Sequence, residues 1–336
     1  MKTSSDYLQA SYAFCRRLSR RSGSNFYLGF LLLPREKRHA MHALYAFMRH
    51  TDDLIDAAPL ISGNDLYLCE SNDQRRENLF HWRDLLGSSL AGKASFSDIS
   101  HISMEPVPDA ESTGKFILPA LVDTVQKYRI PAECLYAVLD GVEMDLDRRR
   151  YDTFEELRLY CRRVASAVGL ACIHIWGFRG QGTPEGEAAF EPAWQAGIAL
   201  QLTNILRDLK ADADADRIYL PLEDFQACGY SVDELKKNVV NDGFHRLMAM
   251  EIDRAGQFYR EGAKLMDFLH RDGQRIFGMM IITYRYLMEK ISRRPGDVFC
   301  RHIGLNKVMR VMLAVVWALP SSKLVDKMIE NMQSFK

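Results

Sequence analysis

Apolar residues recur at intervals of three and four along most of this chain, and no other feature of the sequence constrains its fold as strongly. The recurrence runs through segments near 4–21, 34–57, 72–91, 115–128, 131–147, 153–177, 187–212, 243–270, 272–291 and 304–316. Such spacing lays one apolar stripe along a helix. No stretch alternates with a period of two between turn signals, so no sheet is expected. Pro34 before Arg-Glu-Lys-Arg reads as a helix start, where proline's missing N–H is harmless. Residues 92–114 and 178–186 carry Gly and Pro and read as loops, and 213–230, with Pro221 and Gly229, reads as irregular. The Gly-x-Gly at 180–182 follows no strand and lacks dinucleotide-binding spacing. With no linker-like stretch and no internal repeat, one all-α domain is expected, a helical bundle over 1–336.

Lys and Arg number 44 and so do Asp and Glu, leaving a formal net charge of zero. A broad nucleic-acid surface would need a basic excess, and a disordered acidic chain would need the opposite. The seven cysteines are scattered with no C-x-x-C pair, which fits reduced thiols and argues against zinc. Met1 to Leu8 is too polar for a signal peptide. The longest apolar runs, Phe26–Leu33 and Val311–Leu319, fall well short of the ~20 residues that span a bilayer. A cytoplasmic protein without a transmembrane helix is expected.

Two acidic motifs carry the chemistry. The first is Tyr45-Ala-Phe-Met-Arg49-His-Thr-Asp52-Asp53-Leu-Ile-Asp56, and the second is Gln201-Leu-Thr-Asn204-Ile-Leu-Arg207-Asp208-Leu-Lys-Ala-Asp212. On a helix Asp52 and Asp56 share a face, as do Asp208 and Asp212. Tyr45, Arg49, Asp52 and Asp56 form one stripe, and Gln201, Asp208 and Asp212 form another. Like charges four residues apart weaken a helix unless solvent or a cation relieves them. A solvated face is a fair alternative for the first motif, because His42, His50 and Asp53 lie on the adjoining arc. The second resists it, since Ile198, Leu202, Ile205, Leu206 and Leu209 flank its carboxylates, and carboxylates among apolar side chains need a partner or a metal. Hard oxygen donors suit Mg²⁺, which shares itself with substrate phosphates. Arg49, Asn204 and Arg207 beside the acids suit a ligand that brings its own negative oxygens. Asp212, Asp214 and Asp216 imitate the start of a calcium loop, but position six is Arg217 rather than Gly. A short, flexible acidic loop is expected there, with Asp214 and Asp216 as optional metal contacts.

These stripes and their surroundings resemble the squalene/phytoene synthase family from about residue 10 to 290. The matching segments are Ser22-Gly-Ser24-Asn-Phe26-Tyr27 with Leu32-Leu-Pro34, Tyr45 to Asp56, Asp140-Gly-Val-Glu-Met-Asp145 with Tyr151, Tyr160 to Gly169, Gln201 to Asp212 with Arg217-Ile-Tyr219-Leu-Pro221, and Tyr284. D-x-x-x-D alone is weak, whereas the ordered set is specific. The family's second motif usually ends Glu-Asp, and here Ala211 precedes Asp212. The residue before Arg217 is usually Gly, and here it is Asp216.

The resemblance implies an isoprenoid-synthase fold and Mg²⁺-dependent head-to-head condensation of two prenyl diphosphates. It implies Asp52, Asp56, Asp208 and Asp212 as metal carboxylates. Ser22, Ser24, Phe26, Gln201, Asn204, Arg207 and Arg217 become substrate-binding residues, and Tyr45, Arg49, Tyr219 and Tyr284 catalytic ones. Phe26 and Phe47 are candidates for lining the cavity, with core packing favoured for Phe47. Gly141, Ala165, Ala167, Gly169 and Gly197 would let long chains lie between helices, or simply mark close helix contacts. Tyr-Ala-Phe-x-Arg with Asp-Asp leans towards two C15 substrates and presqualene diphosphate or squalene. Two C20 substrates giving phytoene is the alternative, and NADPH enters only if squalene is the product. The Tyr/Arg stripe and the Arg-Ile-Tyr-Leu-Pro loop speak against a chain-elongating synthase or a cyclase. A non-catalytic assembly or binding protein is the remaining alternative, and it would be expected to lose metal carboxylates that are all present here. Greasy substrates suggest peripheral membrane contact, and Lys290, Arg293, Arg294 and Arg301 are candidates for its basic face, with an ordinary solvated helix end as an equal alternative. Oligomeric state is left open.

Overall fold

The computed structural model describes residues 4–21, 25–55, 61–62, 65–66, 71–93, 110–301 and 303–305. The chain divides into two compact units, Met1–Tyr27 with Arg35–Asp147 and Leu28–Pro34 with Arg148–Lys336. Both are built of helices, as the periodicity demands.

The first unit holds α1 (Ser4–Arg21), α3 (Arg35–Asp53), α4 (Asn72–Leu90), α5 (Ala110–Tyr128) and α6 (Ala132–Asp147), while the short α2 (Asn25–Phe30) straddles the division. Helix α3 buries Ala40, Ala43, Leu44 and Phe47. The Trp82 indole of α4 donates to Thr51 Oγ1 at 3.0 Å and meets the His50 ring edge-on, centroids 4.7 Å apart. Helix α5 starts at Ala110, so the end of the loop expected over 92–114 is helical instead. Packing outweighs the low helix propensity of Gly114. A Cβ there would lie 2.8 Å from the Trp82 ring, so only glycine lets α5 pass this close.

Pro119 sits inside α5, where it removes a helix donor. Ser11 of α1 repairs the ladder beside it. Its hydroxyl donates to the Phe116 carbonyl at 2.6 Å and accepts from the Ala120 N–H at 2.9 Å. Those two groups are the ones an unbroken helix would join. A side chain inserted into the ladder is a recognised cause of a helix bend.

The expectation of no sheet holds with one minimal exception among the described residues. Strands β1 (Ile61–Ser62) and β2 (Asp65–Leu66) pair antiparallel, Ile61 opposite Leu66. Gly63 and Asn64 lie between them in sequence, a strong two-residue turn signal.

The second unit contains α7 (Phe154–Cys161), α8 (Ala167–Trp176), α9 (Phe190–Asp214), α10 (Leu222–Cys228), α11 (Val232–Lys236), α12 (Asp242–Ala263), α13 (Arg271–Arg293) and α14 (Asp297–Cys300). The helix expected over 153–177 is interrupted by a π turn at Arg162–Ser166. Gly197 of α9 presses on this turn: a Cβ there would lie 2.5 Å from Ser166 Cα. Gly262 of α12 meets the preceding residue of α9, its Cβ position 2.7 Å from the Ala196 backbone. At Gly197 the close-contact reading therefore holds. The helix expected over 243–270 ends at Ala263 and tightens into a 3₁₀ turn at Lys264–Asp267. Within the stretch expected to be irregular, 213–230, Pro221 opens α10 and Gly229, at φ +59°, closes it. The helix expected at 304–316 lies outside the described residues from 306 onward. No described helix is long and apolar enough to cross a membrane.

Candidate active site

The first stripe lies on α3. Tyr45 is half-buried, while Arg49, Asp52 and Asp53 are exposed. Arg49 Nη2 pairs with Asp53 Oδ1 at 2.5 Å, one helical turn on. Partial burial opposes the Arg49 charge, but Asp53, and then Asp52 and Tyr45, raise its affinity for the proton above the ordinary value. The pairing partner of Arg49 is thus Asp53, which the spacing puts on the adjoining arc rather than in the stripe. The adjoining arc differs from the expectation of a solvated face. His42 and His50 are buried, and burial pushes each down to about 4, so both are neutral at pH 7. Their aromatic neighbours account for this: Tyr27 lies beside His42 and Trp82 beside His50. Phe47 is fully buried against Trp82 and belongs to the core. Asp56, Ser22 and Ser24 lie outside the described residues, and Phe26 is described only as part of α2.

The second stripe lies on α9, whose Leu202, Ile205, Leu206 and Leu209 are buried beside it. Arg207 grips Asp208 with two donors, Nε to Oδ1 at 2.8 Å and Nη2 to Oδ2. Burial works against the Arg207 charge, yet Asp208 and then Tyr284 hold its proton more tightly than usual. Tyr284 of α13 is 5% exposed. Burial raises its phenol above the ordinary value, with Arg207 and Asn204 moderating the shift, so at neutral pH it is an un-ionised donor. Asn204 Nδ2 donates to Gln201 Oε1 at 3.4 Å. Its Oδ1 is buried without any hydrogen-bond partner in the structure, a cost proteins seldom carry without a ligand or water to relieve it. The structure thus gathers Gln201, Asn204, Arg207, Asp208 and Tyr284. Asp212 lies one turn beyond Asp208, and its carbonyl accepts from Arg217 N at 2.8 Å.

Residues 215–221 are pinned rather than a flexible loop. Ile218 N donates to Arg149 O at 2.9 Å, and Arg150 Nη1 donates to Asp216 O at 2.6 Å. Asp216 has φ +58°, the left-handed region that favours glycine. A glycine before Arg217, which the family resemblance leads one to expect, would take this conformation without strain. Here the aspartate is compensated by Lys236 and Arg150, which reach Asp216 Oδ1 at 2.7 and 2.6 Å and hold its carboxyl down at about 2. Asp214 pairs with Lys210 at 2.9 Å. As optional metal contacts both are already engaged by cations. Tyr219, 9% exposed, stacks on Tyr160 and Tyr151 with centroids 5.2 and 6.0 Å apart. The part of Tyr160, Arg150 and Lys236 in fixing this segment carries no sequence signal beyond the run Arg148-Arg-Arg-Tyr151 before α7.

Among the described residues no three of His, Cys, Asp or Glu converge on a metal-sized cage. Mg²⁺ does not need one, because one or two carboxylates, waters and substrate phosphates complete its shell. Asp208, exposed along one edge, and the orphaned Asn204 Oδ1 fit an open site of that kind.

The squalene/phytoene synthase family model matches residues 19–311. The chain is 33% identical over 317 residues to the 15-cis-phytoene synthase of Synechocystis sp., covering 92% of this chain and 85% of that one. It is 35% identical over 301 residues to the phytoene synthase of Arthrospira platensis, covering 86% of each. Among solved structures, the squalene synthase HpnC of Alicyclobacillus acidocaldarius superposes with a TM-score of 0.70 at 27% identity, covering 86% of this chain and 95% of that one. A dehydrosqualene synthase shares the fold with a TM-score of 0.76 at 23% identity, covering 98% and 100%. The chain belongs to the squalene/phytoene synthase family of prenyltransferases, which join prenyl units head to head.

Proposed function

We propose that this protein condenses two prenyl diphosphates in a 1′–1 sense with Mg²⁺. The observation that supports the reading best is the α9 stripe, where Arg207 orients Asp208 next to an unsatisfied Asn204 acceptor. Both compact units serve the one reaction as a single domain over 1–336, since the family match runs through both. Asp52, Asp56, Asp208 and Asp212 would hold Mg²⁺, which supplies neutralising charge for the departing diphosphate. Arg49, Arg207, Arg217, Asn204, Gln201, Ser22 and Ser24 orient phosphate oxygens through charge-assisted hydrogen bonds. The C–O electron pair leaves with the diphosphate, and the double bond of the second substrate attacks the allylic cation. Loss of one proton closes a cyclopropane. Tyr284, un-ionised and close to Arg207, donates a hydrogen bond to oxygen rather than acting as a phenolate. Tyr45 and Tyr219 steer the proton, and aromatic faces such as Phe26 and the Tyr219 cluster favour cationic carbon. Apolar surroundings exclude the water that would quench it.

For substrate length we propose two farnesyl diphosphates, giving presqualene diphosphate, and squalene where NADPH supplies hydride. The Tyr-Ala-Phe-x-Arg and Asp-Asp pattern and the similarity to HpnC support this. The phytoene synthase names of the cyanobacterial relatives favour a second reading, two geranylgeranyl diphosphates. A thermal shift with a non-hydrolysable farnesyl or geranylgeranyl thiodiphosphate tests metal-linked binding. Ligand that binds only the folded state raises its melting temperature, and a rise of a few degrees that requires Mg²⁺ is expected. Equal stabilisation with and without Mg²⁺ would reject the metal assignment.

A further inference from the structure

Helix α4 turns one face to a cavity of about 470 Å³ within the first unit. Asn78, His81, Trp82, Leu85 and Ser88 supply that wall, and they recur at three and four as one helical face must. The end of α3 adds His50 and Leu54, and the start of α5 adds Gly114 and Lys115. Tyr45, Arg49 and Asp52 do not border it, because His50 lies about 200° round the helix from Asp52. The volume falls among those of small-molecule sites, roughly 300–1,000 Å³, and far exceeds a packing void.

The lining selects its ligand. His50 is 4% exposed, yet its ring has no hydrogen-bond partner among the described residues and borders the cavity. A Cβ at Gly114 would sit 3.2 Å from His50 Nε2, so the glycine keeps the space beside that nitrogen open. Trp82 meets the imidazole edge-on and spends its own N–H on Thr51. The indole therefore offers the cavity apolar surface, as do Leu54 and Leu85. Asp84 borders the cavity from an exposed position and has no ion pair among the described residues. Its neighbour Arg83 is committed to Asp140 at 2.5 Å, and Lys115 already has an interaction of its own. The uncommitted charge at the site is thus a carboxylate.

We propose that this cavity binds a small aromatic amine whose ring carries a hydroxyl group. The ring packs against Trp82, Leu54 and Leu85, the hydroxyl meets His50, and the ammonium pairs with Asp84. A hydroxyl both donates and accepts, so it satisfies either nitrogen of the imidazole. Apolar walls with a few convergent polar groups are the usual make-up of such a site. None of these groups belongs to the acidic stripes, so the site stands whether or not the protein condenses prenyl diphosphates.

The test is isothermal titration of the full-length protein with tyramine. One saturable site is expected, with a dissociation constant on the order of 0.1–1 mM, the range open to a ligand of this size. Phenethylamine, which lacks the hydroxyl, should bind about tenfold more weakly. 3-(4-Hydroxyphenyl)propionate, with a carboxylate in place of the amine, should bind more weakly than tyramine. Asp84→Asn should weaken tyramine about fivefold. Ser88→Trp places a large side chain at the exposed edge of the cavity and should abolish binding, and both variants should keep the parent's melting temperature. Tyramine that binds Ser88→Trp as it binds the parent overturns the proposal, as does a propionate that binds as well as the amine. So does the absence of saturable binding up to about 10 mM. Release of tyramine by farnesyl thiodiphosphate with Mg²⁺ would place it in the catalytic cavity and also overturn the proposal. Asp84→Asn and the phenethylamine comparison need no bulky substitution. If Ser88→Trp does not fold they decide the matter, and unchanged affinity in both refutes the site.

Discussion

Asp208→Asn is expected to lower turnover by about a thousandfold while leaving the melting temperature within a degree or two of the parent. The loss follows from charge: the amide keeps the size of the carboxylate but cannot neutralise a cation at the leaving diphosphate, where electrostatic stabilisation is worth factors of that order. The fold is spared because Asp208 is on the open edge of α9 and its grip on Arg207 is local, one residue to the next. Arg207 is then released, so affinity for diphosphate should change less than turnover. Steady-state kinetics on prenyl diphosphate, with circular dichroism on the same samples, checks this. Turnover within threefold of the parent would remove Asp208 from the metal site.

Arg254→Ala is expected to produce the opposite pattern, a loss of stability of about 3 kcal/mol. Arg254 Nη1 of α12 donates at 2.6 Å both to Asp224 Oδ2 of α10 and to Glu251 Oε1. Asp224 is 7% exposed and Glu251 0%, so removing the guanidinium strands two acids in the interior. The guanidinium also lies 4.2 Å from the Phe154 ring centroid. Burial, and then Asp224, push Glu251 up to about 8, so it holds a proton at neutral pH. Burial opposes Asp224, but Arg254 holds it below the ordinary aspartate value. The two groups therefore give opposite slopes. Asp224 adds stability as pH rises through the ordinary aspartate range. Glu251 removes stability from its ordinary value of 4.5 up to about 8, because over that window the unfolded chain ionises and the folded chain does not. Glu251→Gln keeps a donor towards Asp224 and cannot ionise, so its melting temperature should fall less than the parent's between pH 5 and pH 8. Parallel melting curves for Glu251→Gln and parent across that window would show that Glu251 is ionised in the folded protein.

The helical class and the long helices are legible because apolar periodicity is a local signal that packing respects. Helix α9 shows why part of its site is legible too. A carboxylate flanked by Leu202, Ile205, Leu206 and Leu209 must face something polar, and it faces Arg207. What escapes the sequence depends on distant partners. Nothing local announces that Asp216 takes a left-handed conformation, since the cations that hold it come from Arg150 and Lys236. His42 and His50 look like rim residues beside an acidic stripe until Tyr27 and Trp82 are seen to cover them. Gly114 hides the start of α5, because the missing side chain that reads locally as a helix breaker is the condition for packing on Trp82.

Head-to-head condensation is tested most directly by mass spectrometry of the products formed by the purified protein with Mg²⁺ and farnesyl or geranylgeranyl diphosphate, offered separately. A C30 product from the farnesyl substrate, cyclopropyl diphosphate without NADPH and squalene with it, is expected, and it should vanish with chelator. A C40 hydrocarbon from the geranylgeranyl substrate alone would reassign the chain length and keep the chemistry. Folded protein that yields neither product with Mg²⁺ would contradict the assignment of function.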